Sequence, residues 1–296
     1  MSELVLGAAA YDPNVVTVWD GFRMWLREQG LAFDYVLYSN YERQVEELIV
    51  GRIHLAWNSA LAWVRATRLA LAAGVTLRPV IMRDTDCGLS SFVVVRHDSP
   101  VQLARELRGL VVATGAVDSP QATLLPLSML RDMGLKPGSD VQVRRFDIGV
   151  GLHGDHIGAE RLAARALAAG EVDAACISEA NLQLFAREGI LPADATRVIA
   201  QTLPCDHGMI AAGPAADGAL ADEFRRLLLG MSYMDPEQRP LLDLAGLHKW
   251  RPARVQGYQH LERAVDEAGF YDAEGRIVAS DYRPLLRSAP ALAIRG

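Results

Sequence analysis

Short apolar runs alternate with amphipathic stretches along most of the chain, and glycines mark many of the joints. Residues 4–9 (LVLGAA) read as a buried strand, and 15–29 as a helix stopped at Gly30. Residues 33–38 read as a second strand. A helix capped by Ser39 or Asn40 then runs to residue 50 and ends at Gly51. A strand over 53–57 and a helix over 59–73 follow, closed by Gly74. Further strands are expected over 77–82, 91–95, 110–114, 141–146 and 172–177. Helices are expected near 101–107 and over 121–133 and 160–169. Beyond residue 215 the pattern is mostly helical, over 219–229, 236–245 and 259–268. Regular alternation of this kind predicts mainly parallel sheets flanked by helices.

The pattern also echoes itself. GRIHLAW (51–57) recurs as GEVDAAC (170–176), each preceded by a helix and followed by a short polar turn and another helix. The echo predicts two similar α/β lobes.

Composition narrows the class. The chain has 296 residues, half of them hydrophobic, enough for an ordinary core without staples. A net charge of −6 gives no overall basic field for nucleic acid. The three cysteines lie far apart without CxxC spacing, which fits a reducing compartment. MSELVLGAAA lacks a basic n-region, and no stretch reaches the ~18 apolar residues of a membrane span. The expected location is the cytoplasm, or the periplasm if a leader has been removed.

Three blocks carry a family resemblance: YSNYERQVEELIVGRIHLAWNSALAW, GLVVATGAVDSPQATLLPLSMLRDMGL and the GEVDAAC segment. In order and spacing, over roughly residues 1–215, they resemble the phosphonate-type substrate-binding proteins of ABC transporters. The resemblance implies the two-lobed type II periplasmic-binding-protein fold. It places lobe one at 1–88 plus 206–250, lobe two at 89–205, and a C-terminal extension, 251–296, on lobe one. It also implies an interlobe cleft holding a small ligand, anionic like a phosphonate or carboxylate. The sequence departs from the family where a Ser-Thr-Ser-Gly loop is expected and Ser119-Pro120-Gln121-Ala122-Thr123 stands instead. Glu160 stands at the distance of the family's conserved histidine.

Ligands of open α/β lobes meet the carboxyl ends of strands and the helix starts that follow. That rule selects Tyr11, Asn40, Tyr41, Asn58 and Ser59 in the first half. In the second half it selects Ser119, Gln121, Thr123, Ser178 and Glu179. The Ser119 turn suits an anion through free helix-start N–H groups, or is an ordinary cap with Pro120 at N1. MRDTDCGLSS reads either with Arg83 as a bidentate anion partner or as a turn held by hydrogen bonds of Asp84, Asp86 and Ser90. GVGLHGDHIGAE brings His153, Asp155 and His156 into one glycine-rich loop. PCDHGM adds Cys205, Asp206 and His207, read as a nucleophile and acid–base group or as a hinge with a capping aspartate.

Two functions follow. The first is a cytoplasmic binding protein with Tyr11, Asn40, Tyr41, Asn58, Ser59, Arg83, Ser119, Gln121, Thr123, Asp155, Ser178 and Glu179 on the ligand. The second is a decarboxylase or lyase of a carboxylated metabolite on the same fold, with His153, His156 and His207 as acid–base residues. No cofactor and no metal are expected, and neither a nucleic acid nor a particular oligomer is implied.

Overall fold

The computed structural model describes residues 3–147 and 156–279. Contacts divide the chain into two compact units. The first takes in Met1–Gly88, Cys205–Gln259 and Ala273–Arg276; the second takes in Leu89–Pro204, His260–Asp272 and the chain from Ile277. The C-terminal stretch that the resemblance assigns to lobe one is therefore shared between the units.

In the first unit, β1 (Leu4–Ala9), α1 (Asn14–Glu28), β2 (Phe33–Tyr38), α2 (Tyr41–Ile49), β3 (Leu55–Asn58), α3 (Ala60–Ala73) and β4 (Arg78–Arg83) alternate as the pattern predicts. In α1, Val15, Val18, Trp19, Phe22 and Leu26 fall three or four residues apart in most steps and share one buried face. Gly30 stops the helix with φ +86°, a conformation that carries no Cβ penalty only in glycine. Trp19, Phe22, Phe33, Phe224 and Trp250 form the aromatic centre of this unit's core.

The second unit carries β5 (Ser91–Arg96), β6 (Val111–Thr114), α4 (Leu125–Asp132), β7 (Gln142–Arg145), α5 (His156–Ala168), β8 (Ala174–Ser178), α6 (Glu179–Arg187) and β9 (Thr196–Gln201). The chain returns to the first unit with β10 (Met209–Ala212), α7 (Gly218–Leu229), α8 (Arg239–Leu244) and β11 (Trp250–Pro252). From His260 onward α9 (Gln259–Ala268) belongs to the second unit, where Arg263 pairs with Asp132 of α4.

The two sheets share one plan. The first runs β11-β4-β10-β3-β1-β2 and the second β9-β5-β8-β6-β7, read from its far edge. Without β11, each strand has a counterpart: β4 with β9, β10 with β5, β3 with β8, β1 with β6, and β2 with β7. The reversed strand is β10 in one sheet and β5 in the other. Because β10 is antiparallel to both its neighbours, β1 to β4 all run one way, and β6 to β9 likewise. This bears out the expected α/β architecture of mainly parallel sheets. The echoed segments supply β3 and β8, which hold the equivalent position beside the reversed strand.

The sequence reading missed β9, β10 and β11. β9 is a half-exposed edge with a weak apolar alternation, β10 has four residues, and β11 has three and includes Pro252.

Candidate functional site

The register of the first sheet gathers side chains at one edge. Ala9 pairs with Tyr38, Ala8 with Trp57, and Asn58 with Met209. The residues just past these pairs (Tyr11, Asn40, Tyr41, Ser59) and those before β10 (His207, Gly208) therefore share that edge, joined by Arg83 and Asp86 from the end of β4. Asn40 and Ser59 are helix caps: Asn40 accepts from the Arg43 N–H at 2.8 Å and Ser59 from the Ala62 N–H at 3.2 Å. Asn58 is buried and accepts from the Gln44 side-chain amide at 3.3 Å. These three have structural partners, which leaves the aromatic and charged groups as the open part of the edge.

Tyr11 stacks on Tyr41 at 6.3 Å and tilts against Trp57 at 6.1 Å. Tyr41 and Trp57 are buried, whereas Tyr11 stays 52% exposed. The Arg83 guanidinium lies over the Trp57 ring at 5.3 Å. It donates from Nε and Nη2 to the two Asp86 oxygens at 2.7 and 2.8 Å, and from Nη1 to the Ala245 carbonyl at 2.9 Å. Asp86 is buried and also faces His207, whose Nδ1 is 3.4 Å from Oδ1. The His207 N–H donates to the Asp86 carbonyl at 2.8 Å. Burial alone pushes the Asp86 carboxyl up, but hydrogen bonds from His207 and Arg83 and the charge of Arg83 outweigh it and hold the group down at about 2. Burial raises both Tyr11 and Tyr41, with Arg83 opposing it. The phenols therefore stay neutral hydrogen-bonding groups.

Gly208 packs closely at this edge. A Cβ there would sit 3.2 Å from Asp86 Oδ2 and 3.4 Å from the Asn58 carbonyl.

In the second unit the predicted helix over 121–133 begins differently. Residues Pro120–Leu124 form a wide π-type turn before α4. Pro126 has no N–H to donate to the Ala122 carbonyl, and the Gly115 N–H takes that carbonyl at 3.1 Å instead. Ser119 is the cap: its hydroxyl accepts from the Ala122 N–H at 3.1 Å and its carbonyl from Thr123 and Leu124. The Thr123 hydroxyl donates to the Ala116 carbonyl at 2.7 Å. Much of the helix start expected to bind an anion is thus satisfied from within. Gln121 differs, for it is 8% exposed and its Nε2 finds no partner among the described residues.

Ser178 donates its N–H and its hydroxyl to Glu160 Oε2, both at 2.9 Å. Glu160, at the family histidine's distance, therefore holds the start of α6, where Ser178 makes no cap bond of its own. Burial raises the Glu160 carboxyl despite the opposing Ser178 and Asn181 hydrogen bonds. Glu179 is exposed. His156 opens α5 with Nε2 3.2 Å from buried Asp118. His153 and Asp155 lie outside the described residues. No group of three metal-ligating side chains occurs among the described residues.

Cys205 does not fit a nucleophile. It is buried, and burial followed by the nearby Asp206 charge pushes its thiol up to about 12. Asp206 instead ties the segment down, accepting from Arg254 Nε and Nη2 at 2.6 Å each and from the Gly88 N–H at 2.7 Å.

Sequence reasoning passed over Asp86 as a partner of Arg83 and His207, and it passed over Gln44, Asp118 and Arg254. The i, i+3 spacing of Arg83 and Asp86 was the available signal; His207 lies too far along the chain for any spacing rule.

Residues 8–258 match the family described as the ABC transporter, phosphonate, periplasmic substrate-binding protein. Curated proteins give no match. Among solved structures, XAC2383 from Xanthomonas citri, bound to chloride ion, aligns with a TM-score of 0.66 and 20% identity, covering 90% of this chain and 98% of its own. PhnD1 from Prochlorococcus marinus, in complex with methylphosphonate, gives 0.62 and 16% over 90% and 98%. The periplasmic aliphatic sulphonate binding protein SsuA from Escherichia coli gives 0.55 and 19% over 94% and 92%. These likenesses show the type II binding-protein fold. No helix among the described residues is long and apolar enough to cross a membrane. The periplasmic description of the matching family gives the expected cytoplasmic location no support.

Proposed function

The chain belongs to the phosphonate-type periplasmic substrate-binding proteins of ABC transporters, and from that premise we propose that it holds a small anionic ligand at the Tyr11–Trp57–Arg83 edge of its first unit. The observation that carries this reading is the state of Arg83. A guanidinium has five N–H donors, and three of Arg83's are spent on Asp86 and Ala245. Two remain, on a group already oriented by a buried carboxylate and a tryptophan face. A preorganised fork of this kind suits an oxyanion, because little side-chain entropy is lost when the ligand arrives. Exposed Tyr11 supplies the flat apolar surface beside it.

Asn40, Ser59, Ser119 and Thr123 serve as caps and turn bonds that keep the strand ends in place. A phosphonate, sulfonate or carboxylate head fits the first-unit edge. The methylphosphonate complex of PhnD1 makes phosphonates the first class to try.

An Asp–His pair is also competent for proton transfer, as the decarboxylase or lyase reading requires. The binding reading takes precedence because the spare Arg83 donors call for an anion whether or not a reaction follows.

The test is a thermal-shift panel of alkylphosphonates, alkylsulfonates and small carboxylates, in amine buffers. One class should raise the melting temperature saturably, and a panel without any shift would overturn the reading. Location is a separate measurement: fractionation of cells expressing the full gene distinguishes the family's periplasm from the cytoplasm.

A further inference from the structure

His207 meets the first-unit edge through Asp86. Its Nδ1 faces the carboxylate at 3.4 Å, and its side chain is about a third exposed. Nε2, on the other side of the ring, has no partner among the described residues. With Nδ1 carrying a hydrogen toward Asp86, neutral His207 presents Nε2 as a bare acceptor. Protonation turns the same atom into a donor and adds a positive charge.

The surrounding charges decide which form an anion meets. Arg83 of β4 and Asp86, three residues on, form a bidentate pair and cancel. Asp206, next to His207 in sequence, is paired with Arg254 in the same way. Tyr11 after β1, Tyr41 of α2 and Tyr258, in the short turn before α9, are all raised by burial and stay neutral. Asp12 and Glu42, which act on Tyr11 and Tyr41, contribute negative charge only. Cys87 is likewise raised by burial and stays a thiol. Arg83 thus offers oriented donors but no net charge. Arg251 of β11, which acts on Cys87, adds a fixed positive charge; among the groups named, His207 is the one that can gain a positive charge by taking up a proton.

From this geometry we infer that His207, oriented by Asp86, is a specificity-determining residue, and that binding of an anion at this edge is coupled to proton uptake by its imidazole. The inference rests on the binding reading above. It deepens that reading by naming the protonation state in which the site accepts its ligand. Asp86 itself is the positioning residue. Held at about 2, it stays a carboxylate through the range in which an imidazole titrates, so it can fix the ring at every relevant pH.

The experiment follows binding of methanesulfonate, whose charge is fixed, across pH 5.5–8.5 in amine buffers, with methylphosphonate in parallel. The sign is set by linkage: a proton taken up on binding makes affinity highest at low pH and progressively weaker as pH rises. The wild-type Kd should rise at least tenfold across this range. For His207→Gln it should stay flat, near the wild-type value at high pH. Where His207→Gln does not reach the wild-type melting temperature, 15N-histidine NMR of the wild type replaces it. The His207 ring nitrogens should then move to imidazolium positions on adding the anion at pH 7.5. Binding that is independent of pH, a pH slope that survives in His207→Gln, or a ring that does not move would each overturn the inference while leaving the binding reading in place. If neither anion binds at any pH, the binding reading falls and the inference with it.

Discussion

Gly257→Ala should destabilise the first unit by about 3–5 kcal/mol, which is large for one added methyl group. A Cβ at Gly257 would sit 2.0 Å from Asp206 Oδ2 and 2.2 Å from its Cγ. Asp206 has no exposed surface to retreat to. The methyl must therefore displace a carboxylate that holds Arg254 twice and the Gly88 N–H once. Overpacking alone costs about 1–3 kcal/mol. The Gly88 hydrogen bond to a charged acceptor adds roughly 1.5 kcal/mol or more. Arg254 is half exposed, so its two bonds count for about 1 kcal/mol together. The assay is urea unfolding followed by tryptophan fluorescence, because all five tryptophans (Trp19, Trp25, Trp57, Trp63, Trp250) lie in the first unit. Gly218→Ala is the control: it opens α7, has nothing within 4 Å of an added Cβ, and should be neutral or slightly stabilising. A Gly257→Ala protein within about 1 kcal/mol of wild type would refute the reasoning, since no smaller displacement satisfies the distances.

Asp86 predicts an acid limb. Its folded-state value of about 2 lies below the ordinary 3.8, so its contribution is complete above the unfolded value and is lost as pH falls toward 2. Urea midpoints should drop by the equivalent of roughly 2 kcal/mol between pH 5 and 2, and Asp86→Asn should flatten that part of the curve. Native protein treated with a thiol reagent should be modified at partly buried Cys87 first; Cys176 and Cys205, both raised to about 12 by burial, should react only on unfolding, as peptide mapping would show. Glu160→Ala should free the Ser178 N–H and hydroxyl, costing about 1–3 kcal/mol and speeding hydrogen exchange at the start of α6, while α3, capped by Ser59, exchanges as before.

How much of this was written in the sequence depends on the range of the interaction. β1 and β2 fall on the predicted residues because continuous apolar runs bounded by turn residues are local signals. The caps Asn40 (one of two candidates) and Ser119 were legible for the same reason, whereas Ser59 was read as the first helical residue and is the cap. The GRIHLAW and GEVDAAC echo led to equivalent strands in two sheets of one plan. The wide turn before α4 was not legible as such, although Pro126 was its cause in plain view. At the site, Arg83 could be picked out by type, but its pairing with Asp86 and the approach of His207 depend on β10 running back beside β3. No local pattern carries that reversal. Short edge strands were lost because β9 and β11 lack the burial that produces alternation.

Ligand contact at the first-unit edge is tested most directly by calorimetric titration of wild type against Tyr11→Ala. Tyr11 is half exposed, so its removal should leave the melting temperature within about 2 °C of wild type. The anion that gives the largest thermal shift should bind wild type one to one and Tyr11→Ala at least tenfold more weakly. Equal affinity in the two proteins would contradict the central claim and send the ligand elsewhere.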